Sequence, residues 1–249
     1  MKLGKKPFYE PQGRIFVIAD VHGERGKLDN VLKKIRAILK KEDHVVFIGD
    51  LCDVGGDTPG VLKLVQEFKN FHKNTFVIFG NHEEMMLAAI RGNPGGWFEN
   101  QGMKTLAQFT GYNDRPEDLN LWLKDNGITI FKDLIPYYET EKVLITHAPL
   151  PNKLGEFLAI EEGVVENLAE RIRWNFVDHE KVKVTGVDKI LICGHQNKLM
   201  TRHRVLEPRI YLTVNRIFID AGAGYEKKAP LCCLVVGILG EIDIIKDVG

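Results

Sequence analysis

Five short apolar runs, each ending at a residue able to bind a metal ion, constrain the fold of this 249-residue chain more than any other feature. Their length and β-branched content are typical of buried strands, and they occupy residues 14–19, 44–49, 75–79, 142–147 and 189–193. Between the first two runs, apolar residues from Leu28 to Leu39 repeat at helical spacing. A strand, a helix and a strand within about 35 residues predict a βαβ unit with a right-handed crossover.

The rest of the pattern predicts a fold with two sheets. Further helices are predicted at 58–70, at 83–90 and near 162–174, and residues 93–126 are predicted to be a helical insertion lying over the site. Candidate strands of the second half are 135–139, 142–147, 189–193, 209–214, 216–220, 231–236 and 238–245. Parallel βαβ units followed by a β-rich half predict an α/β fold of α+β character. Its four layers would be two packed mixed sheets flanked by helices, in a single domain over residues 1–249.

The composition argues against several classes of protein. Lysine plus arginine equals aspartate plus glutamate at 34 each, so the net charge is zero and no extended basic surface for nucleic acid is predicted. No apolar stretch approaches the roughly 18 residues of a membrane span, and the N-terminal residues lack the apolar run of a signal peptide. Four cysteines without CxxC spacing predict free thiols. We therefore expect a cytoplasmic protein with no membrane partner, and the sequence does not indicate its oligomeric state.

Polar side chains cluster at the carboxyl ends of the five predicted strands. They are Asp20, His22, Asp50, Asn81, His147 and His195. In α/β sheets, ligands bind in the crevice beyond these strand ends. A single aspartate or histidine after a strand is more often a turn or cap residue. Five successive strands that each deliver such a side chain are difficult to attribute to turns, so we interpret the six residues as metal ligands.

The mixture of ligand types indicates which metals to expect. Carboxylates, imidazoles and one amide suit borderline divalent ions better than a cysteine-rich zinc site does. Two ions about 3.5–4 Å apart can hold both the attacking and the leaving oxygen of a phosphoryl transfer. We therefore predict two divalent ions, with manganese first and iron, zinc, cobalt or nickel as alternatives.

The motifs resemble those of a known superfamily. The set DVH, GDLCD-x-G, GNHE, TH and GH, in this order, is similar to the calcineurin-like metallophosphoesterases. The closest resemblance is to the compact bacterial and phage branch of the phosphoprotein phosphatases, which includes symmetrical diadenosine tetraphosphate hydrolases. The similarity covers roughly residues 14–225 and includes the late segment IFIDAGAGY. It implies the metallophosphoesterase sandwich, a fold of two sheets between helical layers.

The resemblance also implies a role for each motif residue. Asp20 and His22 would bind the first ion, and Asp50 would bridge both. The ligands of the second ion would be Asn81, His147 and His195. His82 would be the general acid that protonates the leaving oxygen, oriented by Asp53. A neighbouring carboxylate favours the protonated imidazole at neutral pH, which agrees with that role.

The sequence departs from the family pattern at its phosphate-binding positions. The second motif of the family usually runs GDxxDRG, with an arginine that binds the substrate phosphate, and here that position is Val54. Glu83, which commonly pairs with that arginine, would lose its usual partner. Arg171 and Arg173 are candidates for a second phosphate-binding arginine, and Arg202 is another. Relatives often show a tryptophan followed by an arginine two residues later, and the corresponding residue after Trp174 is Phe176.

The aromatic residues of the insertion have two interpretations. Trp97, Phe98, Phe109 and Tyr112 are predicted to pack as a small cluster. The alternative is that one of them stacks on a nucleobase, as would suit a nucleotide substrate.

Three functions agree with these observations. The first is a phosphomonoester hydrolase that uses a metal-activated hydroxide and acts on small molecules or on phosphoserine and phosphothreonine in proteins. The second is a dinucleoside polyphosphate hydrolase or a phosphodiesterase acting on nucleotides. Val54 favours the second, because a diester phosphorus carries about one negative charge less than a terminal monoester and needs an arginine less. The third, a metal-binding scaffold without catalysis, is disfavoured by the complete set of motif residues.

Overall fold

The computed structural model describes residues 8–150, 173–174, 176, 188–196, 209–211 and 215–247. The helices and strands run in the order β1 (Ile15–Ile18), α1 (Arg25–Ile38), β2 (His44–Phe47), α2 (Thr58–Phe71), β3 (Thr75–Val77), α3 (Asn81–Ile90), α4 (Gly95–Glu99), α5 (Gly102–Leu106), α6 (Leu119–Asp125), β4 (Tyr138–Glu139), β5 (Val143–Thr146), β6 (Ile190–Cys193), β7 (Arg209–Tyr211), β8 (Arg216–Phe218), β9 (Cys232–Val236) and β10 (Ile242–Lys246). Short 3-10 helices cover Pro116–Asp118 and Ile130–Lys132.

The strands form two mixed sheets. The first has the order β10-β9-β1-β2-β3, in which β1, β2 and β3 are parallel and β9 and β10 are each antiparallel to their inner neighbour. The second has the order β4-β5-β6-β8-β7, with β5, β6 and β8 parallel. One hydrophobic cluster joins Ile18 and Val46 of the first sheet to Ile145 and Ile192 of the second. The α/β fold with two packed mixed sheets is therefore confirmed.

Helices α1 and α2 cover the first sheet with their apolar faces. In α1 the fully or almost fully buried residues Leu28, Val31, Leu32 and Ile35 recur at the three- and four-residue spacing of one helical face. Helix α2 begins at a conventional cap, where the Asp57 carboxylate accepts a hydrogen bond from the Gly60 amide at 2.8 Å. These two helices position the loops that follow β1 and β2.

Residues 93–126, the predicted insertion, contain α4, α5, a 3-10 helix and α6. Trp97 and Phe109 are fully buried, and the Phe109 ring meets the Trp122 ring edge-on at 4.8 Å. Helix α5 packs so closely against Trp97 that a Cβ on Gly102 would lie 2.5 Å from the indole ring. The predicted packing of the insertion aromatics is therefore confirmed for Trp97 and Phe109.

Several predicted boundaries were wrong. The strand predicted at 238–245 begins only at Ile242, because residues before it form a turn in which Gly240 has a φ of 96°. The strand predicted at 135–139 is reduced to Tyr138–Glu139, and the helix predicted at 83–90 begins two residues earlier, at Asn81. The helix predicted near 162–174 lies outside the described residues except for 173–174, which are helical. Within the described part of the chain, every helix is too short or too polar to cross a bilayer.

Candidate metal centre

The six predicted ligands all follow strand ends, and both sheets contribute to them. Asp20 follows β1, Asp50 follows β2, and Asn81 is the first residue of α3, after β3. His147 and His195 follow β5 and β6 of the second sheet. The backbone N–H of His195 donates to Asp20 Oδ2 at 2.8 Å, which links the two sheets directly. The strand order thus gathers residues that are up to 175 positions apart in sequence.

Asp50 lies at the middle of this group. Its Oδ1 is 3.3 Å from Nε2 of His147, and its Oδ2 is 3.6 Å from Nε2 of His22. Two sets of side chains have their potential ligand atoms within 4.8 Å of one another, and Asp50 belongs to both. The first set contains His22 and His82, and the second contains His147 and His195. A carboxylate shared by two such sets has the placement of a bridging ligand.

Two of the imidazoles are held with the same nitrogen towards Asp50. The Nδ1 of His22 is 3.2 Å from the Cys52 carbonyl oxygen, and the Nδ1 of His147 is 2.8 Å from the Ile48 carbonyl oxygen. Because a carbonyl oxygen only accepts, each Nδ1 must carry the proton. The lone pair of each Nε2 is then available to a cation, as in most protein sites where histidine binds a metal.

The amide of Asn81 completes the second set. It lies 2.8 Å from Nε2 of His147 and 3.0 Å from Nδ1 of His195. Its carbonyl oxygen could therefore face an ion that these two imidazoles also bind. The arrangement brings together three predicted ligands that come from both sheets.

Two buried polar atoms of the centre fit a cation directly. Asp20 Oδ1 and His195 Nε2 make no hydrogen bond with the residues that the structure describes. Burial, followed by the negative charges of Asp220 and Asp50, raises the pKa of Asp20 well above its usual value. Burial, followed by the neighbouring His147, lowers the pKa of His195 to about 3, so this imidazole is neutral and able to bind metal. Unsatisfied buried groups of this kind are rare in proteins, and each is an atom that a nearby cation would satisfy.

The backbone around the centre is in a conformation that most residues avoid. In the described part of the chain, seven residues other than glycine have a positive φ, and five of them belong to these motifs. They are His22 at 48°, Asp50 at 49°, Asp53 at 68°, Val54 at 63° and His195 at 60°. Each such residue costs about 1–3 kcal/mol, and such strain concentrates at functional sites. The cost is greatest at Val54, whose side chain is β-branched.

His82 and Asp53 form the predicted pair. The Nδ1 of His82 is 2.8 Å from Asp53 Oδ2, and both side chains are buried. Burial alone lowers the pKa of His82, but the charge of Asp50 and the hydrogen bond and charge of Asp53 outweigh it and raise the pKa to about 9. These two carboxylates therefore favour the protonated imidazole at neutral pH. With Nδ1 directed to Asp53, the Nε2 proton is the one that can be donated to a leaving group.

Trp97 is a site residue that sequence reasoning missed. Its indole Nε1 donates to both carboxylate oxygens of Asp53, so the insertion holds the partner of His82. Sequence reasoning assigned Trp97 to packing, and its ring is indeed fully buried. Nothing in the local sequence indicates that this N–H would reach a residue 44 positions away.

Glu83 has partners other than the arginine that is absent at position 54. Its carboxylate accepts hydrogen bonds from the backbone N–H groups of Asp50 at 2.8 Å, Leu51 at 2.7 Å and Gly80 at 3.1 Å. These bonds fix the two loops that carry Asp50 and Asn81. Glu83 therefore positions the backbone of the candidate ligands.

The predicted phosphate-binding residues have mixed outcomes. The Arg173 guanidinium donates to the Glu84 carboxylate, from Nη2 at 2.6 Å and from Nε at 3.1 Å, and its role in substrate binding stays a prediction. Arg171 and Arg202 lie outside the described residues. Val54 is only 8% exposed, and its carbonyl oxygen accepts a hydrogen bond from Lys104 of the insertion.

Asp220 is a further buried carboxylate beside the centre. It follows β8 in the segment IFIDAGAGY, and its Oδ1 accepts a hydrogen bond from the Gly222 amide at 2.7 Å. Its negative charge contributes to the raised pKa of Asp20. The sequence pointed to the segment as a whole, through its resemblance to the family, but not to this residue.

The centre combines a buried acid–base pair with carboxylates and imidazoles that can hold two cations. This combination of groups is typical of hydrolases that cleave phosphate esters. The comparison with known sequences agrees with this class. Residues 13–203 match the model of the calcineurin-like phosphoesterase family, and the chain belongs to that family.

Two similar curated proteins have related activities in their names. The chain is 27% identical over 235 residues to an asymmetrical bis(5'-nucleosyl)-tetraphosphatase of Oceanobacillus iheyensis, covering 86% of each chain. It is 29% identical over 136 residues to a symmetrical bis(5'-nucleosyl)-tetraphosphatase of a Marinomonas species, covering 55% of this chain and 44% of that one. The second similarity is therefore confined to about half of each protein.

A similar solved structure confirms the fold. A protein serine/threonine phosphatase from Saccharomyces cerevisiae superposes with a TM-score of 0.59 at 16% identity, covering 95% of this chain and 80% of that one. At this level of identity the match concerns the architecture alone.

Proposed function

We propose that this protein hydrolyses dinucleoside polyphosphates with the help of two divalent ions, for which manganese is the first candidate. The observation that carries the proposal is Val54, an almost buried apolar side chain in the loop that also holds Asp50 and Asp53. At this position the family that the chain resembles usually has an arginine that binds the substrate phosphate. An internal phosphorus of a polyphosphate chain carries about one charge less and depends less on that cation. The similarity to an asymmetrical tetraphosphatase over 86% of each chain supports the same substrate class.

The assignment of ligands to ions is the one that the family resemblance implies, and the closeness of His22, His147 and His195 to Asp50 supports it. Asp20 and His22 would hold the first ion, and Asp50 would bridge to the second. The second ion would be bound by the side chains of Asn81, His147 and His195. When bound, two such ions lower the pKa of a coordinated water and stabilise charge on the phosphoryl oxygens.

The residues of the chain itself supply the remaining chemistry. His82 holds a proton on Nε2 at neutral pH and donates it to the leaving phosphate oxygen. Asp53 keeps the imidazole in this orientation and Trp97 keeps Asp53 in place. Glu83 holds the loops of the ligands through three backbone N–H groups.

The test is a comparison of substrates on the manganese-loaded protein. The kcat/KM for bis(5'-adenosyl) tetraphosphate is measured beside those for p-nitrophenyl phosphate and a phosphoserine peptide, and the nucleotide products are separated by chromatography. We expect the dinucleoside substrate to be preferred by about tenfold or more, and the products to show which P–O bond breaks. A preference for the monoesters would instead identify a phosphomonoesterase. Chelation of the metal is the control and should abolish turnover of all three.

A further inference from the structure

Two exposed aromatic rings lie against the candidate metal ligands. The Tyr225 ring, 41% exposed as a residue, meets the His22 ring edge-on, with centroids 5.1 Å apart at 77°. The Phe176 ring, 55% exposed, lies 4.5 Å from the His195 ring at 48°. His22 and His195 belong to the two different ligand sets, so one ring stands beside each proposed ion.

The position of Tyr225 is fixed by the loop that carries it. A Cβ on Gly224 would lie 2.4 Å from the Cβ of His22, so only glycine lets the backbone come this close. The ammonium group of Lys27, on α1, donates to the carbonyl oxygens of Ala223 at 2.7 Å and Ala229 at 2.8 Å, on both sides of the tyrosine. The ring is therefore held over His22 by contacts that do not depend on the ring itself.

Two residues shortly before Phe176 in the sequence are anchored to α3. These residues, Arg173 and Trp174, both donate to the carboxylate of Glu84, the indole Nε1 at 2.7 Å. The Arg173 guanidinium also lies over the Phe79 ring, 4.6 Å from its centroid. Because Glu84 is on α3, whose first residue is Asn81, these contacts tie Arg173 and Trp174 to the helix that begins in the metal centre.

An apolar ring beside this centre has no evident role towards a phosphate. A phosphate is bound by cations and N–H donors, which an aromatic hydrocarbon does not supply. The face of a ring does match the face of a nucleobase, and stacking of bases on aromatic side chains tolerates any base.

We propose that Tyr225 and Phe176 are base-binding residues, each stacking on a nucleobase of the substrate while the phosphate chain crosses the metal centre. The inference rests on the proposed function, because a dinucleoside polyphosphate carries a base at both ends of its phosphate chain. It deepens that function by naming how the nucleoside is recognised. Phe176 also stands where relatives often carry an arginine, so the chain has an apolar surface at a position that elsewhere binds charge.

The test separates base binding from phosphate binding. Calorimetric titration of the manganese-loaded protein with adenosine diphosphate, and with pyrophosphate, compares two ligands that share a diphosphate group but differ in the nucleoside. We expect Y225A and F176A each to weaken, by about tenfold, the binding of adenosine diphosphate at the subsite of the replaced ring, with pyrophosphate unchanged. Y225F, which keeps the ring, should retain most of the affinity. F71A is the matched control, since Phe71 is an exposed ring at the end of α2.

The outcomes distinguish this inference from the proposed function. Equal weakening of both ligands would show that the rings support the metal centre, and unchanged affinity for adenosine diphosphate would show that they do not touch the base; either result overturns the inference. Turnover of bis(5'-adenosyl) tetraphosphate by the wild type is measured separately. Its absence refutes the proposed function, whereas wild-type turnover with an unchanged KM in both alanine variants refutes the stacking role alone.

Discussion

The indole Nε1 of Trp97 donates to both carboxylate oxygens of Asp53, at 2.9 and 3.0 Å. Asp53 in turn accepts from Nδ1 of His82 at 2.8 Å, so a buried chain of hydrogen bonds runs from the helical insertion to the proposed general acid. With donors on two sides, the carboxylate has little freedom to rotate. The insertion therefore contributes to the alignment of the acid as well as to the core.

Replacing Trp97 with phenylalanine should weaken this alignment. W97F keeps an aromatic ring but removes a hydrogen bond to a buried charged group, which we expect to lower the free energy of unfolding by roughly 2 kcal/mol. Turnover of substrates with poor leaving groups should fall several-fold, while the metal content stays unchanged. Denaturant titration, metal analysis and kinetics measure the three quantities. W122F alters another buried tryptophan of the insertion and is the control; equal effects of both variants would remove the special role of Trp97.

The effect of replacing His82 on turnover should depend on the leaving group of the substrate. A general acid contributes about 10²–10⁴-fold, so H82N should lower kcat for bis(5'-adenosyl) tetraphosphate or an alkyl phosphate by about 100-fold or more. p-Nitrophenolate hardly needs a proton, so the same variant should lose far less activity on p-nitrophenyl phosphate. Bound manganese should remain constant. Equal losses on both substrates, or loss of an ion, would identify His82 as a ligand, a role that its closeness to His22 and Asp50 also permits.

The Asp53 carboxylate should set the alkaline limb of the pH profile. The charge and hydrogen bond of Asp53 contribute to raising the pKa of His82 to about 9, and the acid is active in its protonated form. Activity is therefore present below this pKa and is lost as the pH rises through it. D53N removes the negative charge, so the pKa of His82 should fall and the alkaline limb of kcat should move to lower pH. An unmoved limb in D53N would show that another group controls it.

Asp50 should be the most damaging ligand to replace. Because Asp50 belongs to both ligand sets, D50N should weaken both ions, by more than the roughly 10–100-fold typical of residues outside the first coordination sphere. Elemental analysis after dialysis, with D20N and H195A in parallel, measures the number of ions retained. The single-set variants should each keep one ion more firmly than D50N does. A D50N protein with two tightly bound ions and full turnover would contradict the ligand assignment.

Restoring an arginine at position 54 should change the substrate preference. V54R should raise the ratio of monoester to diester hydrolysis several-fold and tighten inhibition by inorganic phosphate, because a guanidinium binds phosphate through two N–H groups. The gain should stay modest, since the Glu83 oxygens that could orient the new side chain already accept three backbone N–H groups. V54L, which has no charge, is the control. An unchanged ratio and unchanged phosphate inhibition in V54R would remove Val54 from the argument about substrate class.

The local patterns of the sequence were sufficient to predict most strands and to place the candidate ligands at the strand ends. Each ligand follows a buried apolar run, and parallel strands bring their carboxyl ends to one edge, so periodicity and strand order together gather Asp20, Asp50 and His147. Interactions that depend on packing could not be predicted. The hydrogen bond from Trp97 to Asp53 requires the insertion to fold back on the loop that follows β2. The contact of Tyr225 with His22 joins residues near the two ends of the chain.

The strand boundaries and the role of Glu83 also depend on three-dimensional contacts that the sequence pattern does not encode. Strand β10 starts late because a turn at Gly240 intervenes, and the alternation of apolar residues does not encode where such a turn ends. Glu83 was interpreted through the arginine that it lacks, whereas its partners are backbone N–H groups. Backbone donors carry no signature in the sequence, so a role of this kind becomes visible only in three dimensions.

The distribution of the ligands over two sheets has a mechanical consequence. Asn81 belongs to the half of the molecule built on β1–β3, while His147 and His195 belong to the half built on β5 and β6. An ion held by all three would cross-link the two sheets. Whatever binds only the folded protein stabilises it, so the supply of metal in the surroundings would also govern how firmly the two sheets stay together.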